Sequence, residues 1–331
     1  MTTAQEKVTV VIRSVGERTE AVCRQLILEQ GVAEDAVFVI REAPFSQAMR
    51  VGFQIGLAQG RPWTFCVDAD LLLRPGSIQR IVELAEQQPE NVCEIQGYIL
   101  DKFFGGPRIG GIHLYRTALL DRVIAAIPAE GVNIRPEYHT LQSMKAAGFP
   151  WMLVPALVGL HDFEQQYADI FRKCFVQAHK HAHFTDLFLN IWRSGAPDDP
   201  DYRVALAGFA RGVEHYEEVR IDARSALFRS SVDALGLAGK PAMEPGDWSL
   251  DRVEATINNW TDPEVYRAKF PTRMGLVAPA AQQRVQGRSR SRLARLRQRL
   301  GTQGLTRTLP YALGWLLQGL GRRIQQAVAK P

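Results

Sequence analysis

In residues 63–76, WTFCVDADLLLRPG, an apolar run ends in two carboxylates that are separated by one residue. Residues 63–67 are aromatic, β-branched or small, which predicts a buried strand of about five residues. Alternate residues of an extended chain point to one face, so Asp68 and Asp70 can bind one ion if the backbone stays extended. Hard divalent cations prefer such oxygen ligands, often together with substrate phosphates. Alternatively, the two acids cap the next helix or solvate a turn.

Apolar patterns on both sides of this stretch predict alternating strands and helices. A first strand is followed by an amphipathic helix that ends at Gly31 and then by a second strand. This order is typical of a parallel α/β sheet. The predicted strands of this half are 8–15, 36–40, 63–67 and 92–100, and the predicted helices are 17–30, 46–59, 78–88 with Ser77 as N-cap, and 117–127.

Three segments occur in a recognisable order: VTVVIRSVGERT at 8–19, FSQAMRVGFQIGLAQG at 45–60 and VDADLLLRPGSIQRIVEL at 67–84. A first strand, a helix rich in small residues, and D-x-D followed by apolar residues and Pro-Gly resemble GT-A nucleotide-sugar glycosyltransferases, particularly the family-2-like group. The resemblance covers roughly residues 7–163. It implies a GT-A fold, a Rossmann-like and mostly parallel sheet flanked by helices. It also implies Mn²⁺ or Mg²⁺ on Asp68 and Asp70, and a nucleotide-diphosphate sugar as donor.

The turn RSVGER, residues 13–18, follows the first predicted strand. Open α/β sheets bind ligands at the carboxyl ends of their strands. By resemblance, this turn contributes to the nucleotide pocket together with the first acid of the D-x-D. The candidate nucleotide-sugar-binding residues are Arg13, Ser14, Glu17, Arg18 and Asp68. For Glu17 and Arg18 the alternative is ordinary charge in the first turn of a helix.

A glycine-rich segment, DKFFGGPRIGGIHLYR, occupies residues 101–116. Its glycines permit positive φ or close backbone approach, which a phosphate or sugar contact and a plain hairpin would both use. In GT-A enzymes the loop and strand after the D-x-D commonly form part of the acceptor side. The resemblance therefore makes Gly110, Gly111 and His113 candidate acceptor-binding residues.

The segment RPEYHTLQSMKAAGF, residues 135–149, carries the candidate base. Family-2-like enzymes often have an acid or an E-D pair just before a helix here, and in inverting members the acid is the base. Glu137 takes this position, whereas Pro136 and Tyr138 replace the usual second acid. The resemblance implies that Glu137 removes the acceptor hydroxyl proton as the oxygen attacks the anomeric carbon. Alternatively, Glu137 is a helix N-terminal acid favoured by the macrodipole.

His161 and Asp162 follow the strand-like segment 151–160, WMLVPALVGL. Several GT-A families draw a third metal ligand, often His, from a position after the last strand of the sheet, so the resemblance makes His161 a candidate ligand. An imidazole suits Mn²⁺ better than Mg²⁺. The alternative is that Asp162 caps the next helix and His161 only leads into it.

Residues 164–280 are predicted to form a helical extension with an aromatic stripe. Its three histidines, His179, His181 and His183, lack an H-E-x-x-H pattern. We therefore expect them on a polar helix face or in the lining of the acceptor pocket rather than on a metal.

Residues 281–331 hold eleven Lys and Arg and no Asp or Glu, so the rest of the chain is acidic, with 35 acidic against 29 basic side chains. Leucines at helical spacing and Trp315 beside these cations predict a basic amphipathic tail on an anionic membrane surface. A partner-binding or solvated tail and nucleic acid are the alternatives. The density of Leu and Trp argues against nucleic acid, and we expect no nucleic-acid partner.

The remaining features predict the compartment and the reaction. The start MTTAQEK has no apolar segment, and the four cysteines form no C-x-x-C pair. We therefore expect a cytoplasmic protein with reduced, buried thiols, peripheral on the inner face of the membrane if the tail anchors it. By resemblance it is an inverting glycosyltransferase that acts on a glycan or lipid-linked acceptor in cell-surface polysaccharide synthesis. Alternatives are a non-catalytic GT-A scaffold and a haloacid dehalogenase-type phosphatase with Asp68 as nucleophile.

Overall fold

In the part of the chain that the structure describes, β-branched and aromatic runs form one eight-stranded sheet. The structure is a computed structural model. It describes residues 2–217, 219 and 226–261, which all lie in the first of two units, Met1–Ala278. The strands are β1 Val8–Arg13, β2 Val37–Ile40, β3 Trp63–Asp68, β4 Leu71–Leu73, β5 Glu94–Asp101, β6 Gly106–Ile109, β7 Ile112–Arg116 and β8 Trp151–His161.

The sheet is mixed, which corrects the expectation of a mostly parallel sheet. Its order is β2-β1-β3-β7-β5-β8-β4, with β6 paired to β5. Strand β1 is parallel to β2 and β3, and β5 is parallel to β8, whereas β7 is antiparallel to both of its neighbours. The cause is local: β6 and β7 follow β5 through short glycine-rich turns, and parallel pairing needs a longer crossover.

Helices cover both faces of this sheet because residues of β1 and β3 alternate between them. Val10 packs with Ile27 and Ile81 on one face, while Val11 packs with Phe53 on the other. The helices are α1 Glu20–Leu28, α2 Phe45–Gln59, α3 Ser77–Glu86, α4 Leu120–Ala125, α5 Pro136–Ala146, α6 Tyr167–Lys180, α7 Thr185–Gly195, α8 Pro200–Val213, α9 Ala226–Asp233 and α10 Leu250–Thr261.

Helices α6 to α9 form a separate aromatic core that contacts the sheet through the β5–β6 turn, whereas α10 packs against α1 and the strands. Phe103 and Phe104 of this turn pack among the helical side chains, and Trp192 Nε1 donates to the Phe103 carbonyl at 2.8 Å. Helices α6 and α8 approach closely, because a Cβ on Gly208 would lie only 2.4 Å from the Phe171 carbonyl oxygen. This packing fixes the face of α6 that lies beside the sheet.

Other local predictions have mixed outcomes. Ser77 is not the N-cap of α3; Gly76 takes that place with φ 68°, and no side chain caps the helix. The helical region predicted after residue 163 is interrupted around residues 181–184. All four cysteines are buried and free. None of the helices in the described ranges is long and apolar enough to cross a membrane. The predicted tail, residues 281–331, lies outside the described residues.

Candidate functional site

The two acids of the D-x-D point to different neighbours. Asp68 ends β3, but the backbone then turns, and the Ala69 amide donates to the Arg13 carbonyl at 3.0 Å. Asp70 lies just before β4, whose first residue, Leu71, pairs with His161 at the end of β8. The extended backbone that would place both carboxylates on one ion is therefore absent. Asp68 faces β1, and Asp70 faces β8.

Asp70, His161 and Asp162 form a buried group whose ligand atoms all lie within 4.8 Å of one another. We call these three residues the DHD group. His161 Nε2 lies 3.4 Å from Asp70 Oδ1, while His161 Nδ1 lies 2.9 Å from Asp101 Oδ2. Asp70 Oδ1 is buried and has no hydrogen-bond partner. A neutral His161 that donates Nδ1–H to Asp101 would leave its Nε2 lone pair facing Asp70, an arrangement typical of metal-binding histidines.

Lys173 of α6 neutralises the DHD group in the structure. Its ammonium pairs with Asp70 and with Asp162. Burial alone would raise the pKa of Asp162, but His161 and Lys173 hold that pKa well below its usual range. Burial alone would lower the pKa of His161, but Asp162 and Asp70 raise it to about 10. The two carboxylates of the group therefore attract cations, whether a protonated imidazole, an ammonium or a metal ion.

A second charged network lies beside the first and is centred on Arg13. The Arg13 side chain is almost fully buried, with Nη1 donating to Glu137 Oε1 at 2.8 Å and Nε donating to Asp68 Oδ1 at 2.9 Å. Burial would lower the pKa of Arg13, but Asp68 and Glu137 raise it well above its ordinary value. Arg13 therefore joins β1, β3 and the start of α5 into one rigid rim.

Glu137 has three donors around its carboxylate. Besides Arg13, the Tyr115 hydroxyl donates to Oε1 at 3.0 Å, and His113 Nε2 lies 2.9 Å from Oε2. Burial would raise the pKa of Glu137, but Arg13 and His113 hold it well below its usual range. On the far side of the imidazole, His113 Nδ1 lies 2.7 Å from Glu94 Oε1. His113 is thus buried between two carboxylates.

The predicted nucleotide turn is closed by its own side chains. Glu17 accepts hydrogen bonds from the Ser14 hydroxyl at 2.9 Å and from the Val15 amide at 2.6 Å. Burial and then the charge of Asp70 raise the pKa of Glu17. Arg18 instead donates to Glu164 at 2.8 Å and to the Pro241 carbonyl at 2.6 Å. Ser14 and Glu17 therefore lie near the DHD group, and Arg18 binds the segments that follow β8.

The glycines predicted for the acceptor side border the same site. Gly111 has φ 75°, and a Cβ there would lie 3.1 Å from His161 Cδ2. Gly110 has φ 134° and faces the Arg108 guanidinium. The segment therefore forms both the predicted hairpin, β5–β6, and a close backbone approach to His161.

Three residues of the site were absent from the predicted ligand set: Asp162, Asp101 and Lys173. Asp162 was considered only as a helix cap, but α6 starts at Tyr167 after Gln166, and Asp162 has φ 65° instead. An available signal was its position next to His161. Asp101, an acid at the end of an apolar strand, carried a weaker signal of the same kind. Lys173 carried none, because a lone lysine on an amphipathic helix is usually solvent-exposed.

Comparisons with known proteins return solved structures alone. No protein-family model and no curated protein matches the chain. A glycosyltransferase involved in the glycosylation of the major capsid of PBCV-1 is 13% identical over 48% of this chain and 94% of its own, with TM-score 0.35. A197 from STIV is 10% identical over 46% and 83%, with TM-score 0.34. A cytidylyltransferase from Leptospira borgpetersenii is 14% identical over 45% and 76%, with TM-score 0.32.

Proposed function

We propose that the chain is a metal-dependent glycosyltransferase that uses a nucleotide-diphosphate sugar as donor. The observation that carries this proposal is the Oδ1 of Asp70, which is buried without a hydrogen-bond partner beside His161 and Asp162. Buried carboxylate oxygens rarely lack a partner, and a metal ion is one reason for such an exception. The group lies at the carboxyl end of β3, the edge at which open α/β sheets bind nucleotides.

The DHD group has the donor set of a divalent metal site. Asp70 and Asp162 would supply oxygen ligands and His161 a nitrogen ligand, a mixture that suits Mn²⁺ better than Mg²⁺. Bound there, the ion would offset the charge that builds on the diphosphate leaving group. Asp101 would orient His161 through its Nδ1. Lys173 would have to leave the two carboxylates when the ion binds.

The donor pocket in this proposal lies between the β1–α1 turn and the DHD group. Arg13 and Asp68 form its rigid rim, and Ser14 and Glu17 form its closed turn. The closed turn supports a positioning role, because a turn that is fixed before the ligand arrives costs little conformational entropy on binding. Arg18 would act indirectly, by binding the segments next to the pocket.

Glu137 remains our proposed base for an inverting transfer to a hydroxyl of the acceptor. Three donors surround its carboxylate, so it would have to exchange one of them for the acceptor hydroxyl. Its low pKa makes it a weak base, whereas a catalytic base works best with a pKa near the working pH. The network through His113 and Arg13 supports an alternative role for Glu137 in orienting Arg13. The phosphatase alternative is disfavoured, because Arg13 engages the Asp68 oxygen that would attack phosphorus.

The experiment is a thermal-shift screen of nucleoside diphosphates and their sugars, with Mn²⁺ or with EDTA. We expect one nucleotide to raise the melting temperature of the wild type in Mn²⁺ alone. Asp70→Asn should lose that shift, while Asp121→Asn, an exposed acid of α4, should keep it. A response of Asp70→Asn equal to that of the wild type, or no shift with any nucleotide, would overturn the proposal.

A further inference from the structure

A cluster of basic side chains lies next to the site and has no role in the proposed reaction. It consists of Arg108 on β6, Arg135 at the start of α5, and Lys180 and His181 at the end of α6. The Phe104 ring joins two of them, because the Arg108 Cζ lies 4.6 Å and the His181 ring 5.5 Å from its centroid. We call these four residues the basic cluster.

The cations of the basic cluster have too few acidic partners. Arg108 pairs with Asp101 at 2.6 Å. In the described part of the chain, however, neither the Lys180 ammonium nor the Arg135 guanidinium forms an ion pair, and both ring nitrogens of His181 are buried without a hydrogen-bond partner. Burial and then Arg108 and Arg135 lower the pKa of Lys180 to about 8. Burial and then Lys180 and Arg135 lower the pKa of His181 to about 3. A bound anion would satisfy all three groups.

Two aromatic side chains with large exposed fractions lie beside these cations. Tyr138, 48% exposed, lies under the Arg135 guanidinium at 4.7 Å, and Phe184, 37% exposed, lies 5.9 Å from the His181 ring. A ligand that satisfies both features carries an anion at one end and an apolar chain at the other.

The basic cluster touches the network of the DHD group through Arg108, whose Nε donates to Asp101 Oδ2 at 2.6 Å, but its other members lie further along α6 and at the start of α5. Lys173 pairs with Asp70 and Asp162, whereas Lys180 lies seven residues further along α6, a rise of about 10 Å. The acids whose charges act on Lys180 are Asp68 and Glu137. The cluster is therefore on the Glu137 side of the site, away from the closed turn of Ser14 and Glu17.

We infer that Arg108, Arg135, Lys180 and His181 bind the phosphate or diphosphate of an amphiphilic acceptor, whose apolar chain lies against Tyr138 and Phe184. The role as acceptor rests on the proposed function, but the binding itself needs no metal ion. Guanidinium and ammonium groups are the usual ligands of phosphate. The hydroxyl that accepts the sugar would then lie on the same molecule, towards Glu137.

The test is calorimetric titration of the full chain in EDTA with inorganic phosphate and with hexyl phosphate. We expect hexyl phosphate to bind at least tenfold more tightly, since each buried CH₂ is worth roughly a fourfold change in affinity. Lys180→Met should weaken both ligands about tenfold, the size of one charge-assisted hydrogen bond, and Lys180→Arg should restore them. Phe184→Ser should weaken hexyl phosphate alone. The control is Lys145→Met, the same charge change at an exposed site of α5.

Equal affinities for the two phosphates would contradict an amphiphilic ligand, and an unchanged affinity in Lys180→Met would contradict the site itself. A separate titration with the nucleoside diphosphate in Mn²⁺ shows whether the basic cluster binds the donor or the acceptor. If Lys180→Met loses nucleotide affinity, the basic cluster serves the donor and the inference is overturned. If the nucleotide fails to bind the wild type while hexyl phosphate still binds, the proposed function fails and the anion site stands.

Discussion

Lys173 is the residue that most directly controls whether the DHD group can bind an ion. Its ammonium lies on the same two carboxylates that a divalent cation would use. Two cations cannot share these oxygens without strong repulsion at such short distances. Metal binding to the wild type must therefore include the cost of moving Lys173 away.

We predict that Lys173→Met binds Mn²⁺ about tenfold more tightly than the wild type, because the competing charge is gone. In EDTA the variant should be less stable by about 3 kcal/mol, since two buried carboxylates lose their partner. Mn²⁺ should recover that loss. Calorimetric titration and urea unfolding measure the two effects, with Lys145→Met as control. Weaker Mn²⁺ binding by Lys173→Met would mean that the lysine supports the metal rather than competing with it.

His113 predicts a pH dependence of stability. Burial lowers its pKa, but Glu137 and Glu94 raise it from 6.5 to about 10. Because the pKa is higher in the folded chain, the protonated His113 stabilises the protein fully at pH values below its pKa in the unfolded chain. This stabilisation is lost as the pH rises through about 10. In EDTA the free energy of unfolding should therefore decrease as the pH rises from about 6.5 to about 10. In His113→Gln this decrease should be smaller by on the order of 3 kcal/mol.

Urea unfolding over this pH range checks the prediction, with His183→Gln as a control at an exposed position. His161 also has a raised pKa, but it is present in all three proteins, so the difference between them isolates His113. A wild type and a His113→Gln variant with parallel pH profiles would show that His113 is not charged in the folded chain.

At this scale the sequence allows prediction of residues that have a local pattern. Asp68, Asp70 and His161 each end or follow an apolar strand, and the structure places all three at one edge of the sheet. The separation of Asp68 from Asp70 was not predictable, because it depends on β4 pairing with β8 rather than continuing from β3. Asp101 and Lys173 depend on tertiary contacts across many residues, which no local pattern encodes.

The turn between β6 and β7 contributes backbone rather than side chains to the surroundings of the DHD group. Gly111 has φ 75° and Gly76 has φ 68°, so an alanine is strained at both positions. A Cβ on Gly111 would lie 3.1 Å from His161, whereas a Cβ on Gly76 would contact nothing within 4 Å. The two glycines therefore differ mainly in their contact with the DHD group.

We predict that Gly111→Ala and Gly76→Ala each lose about 1 kcal/mol of stability from backbone strain. Gly111→Ala alone should weaken Mn²⁺ binding, by about fivefold or more, because His161 must shift. Thermal unfolding and Mn²⁺ titration measure the two effects side by side. Equal Mn²⁺ affinities of the two variants would mean that His161 does not bind the ion in this orientation.

Strands with a strong hydrophobic pattern were predictable from the sequence, but the way in which the strands pair was not. The spans of β1 and β3 agree with the predicted strands to within two residues, because buried β-branched runs have few alternatives. The antiparallel insertion of β7 between β3 and β5 depends on turn geometry at glycines and on the competition among strands for partners. Neither is visible in the hydrophobic pattern of one strand.

At the scale of the whole molecule, the acidic body and the basic tail remain a prediction from charge. We expect the full chain to float with anionic liposomes and a variant without residues 281–331 to stay in the lower fractions, because the tail carries the excess of cations. Neutral liposomes serve as control. Equal flotation of both proteins would contradict a membrane role for the tail and would leave the amphiphilic ligand of the basic cluster unaffected.

The most direct test of the central claim is a crystal soaked with Mn²⁺ and the nucleoside diphosphate found in the thermal screen, measured at the manganese absorption edge. We predict an anomalous peak bonded to Asp70 and His161, with Lys173 displaced and the diphosphate bound beside the ion. A structure with nucleotide bound elsewhere, or with Lys173 still on Asp70 and Asp162 and no peak there, would contradict the metal-dependent glycosyltransferase.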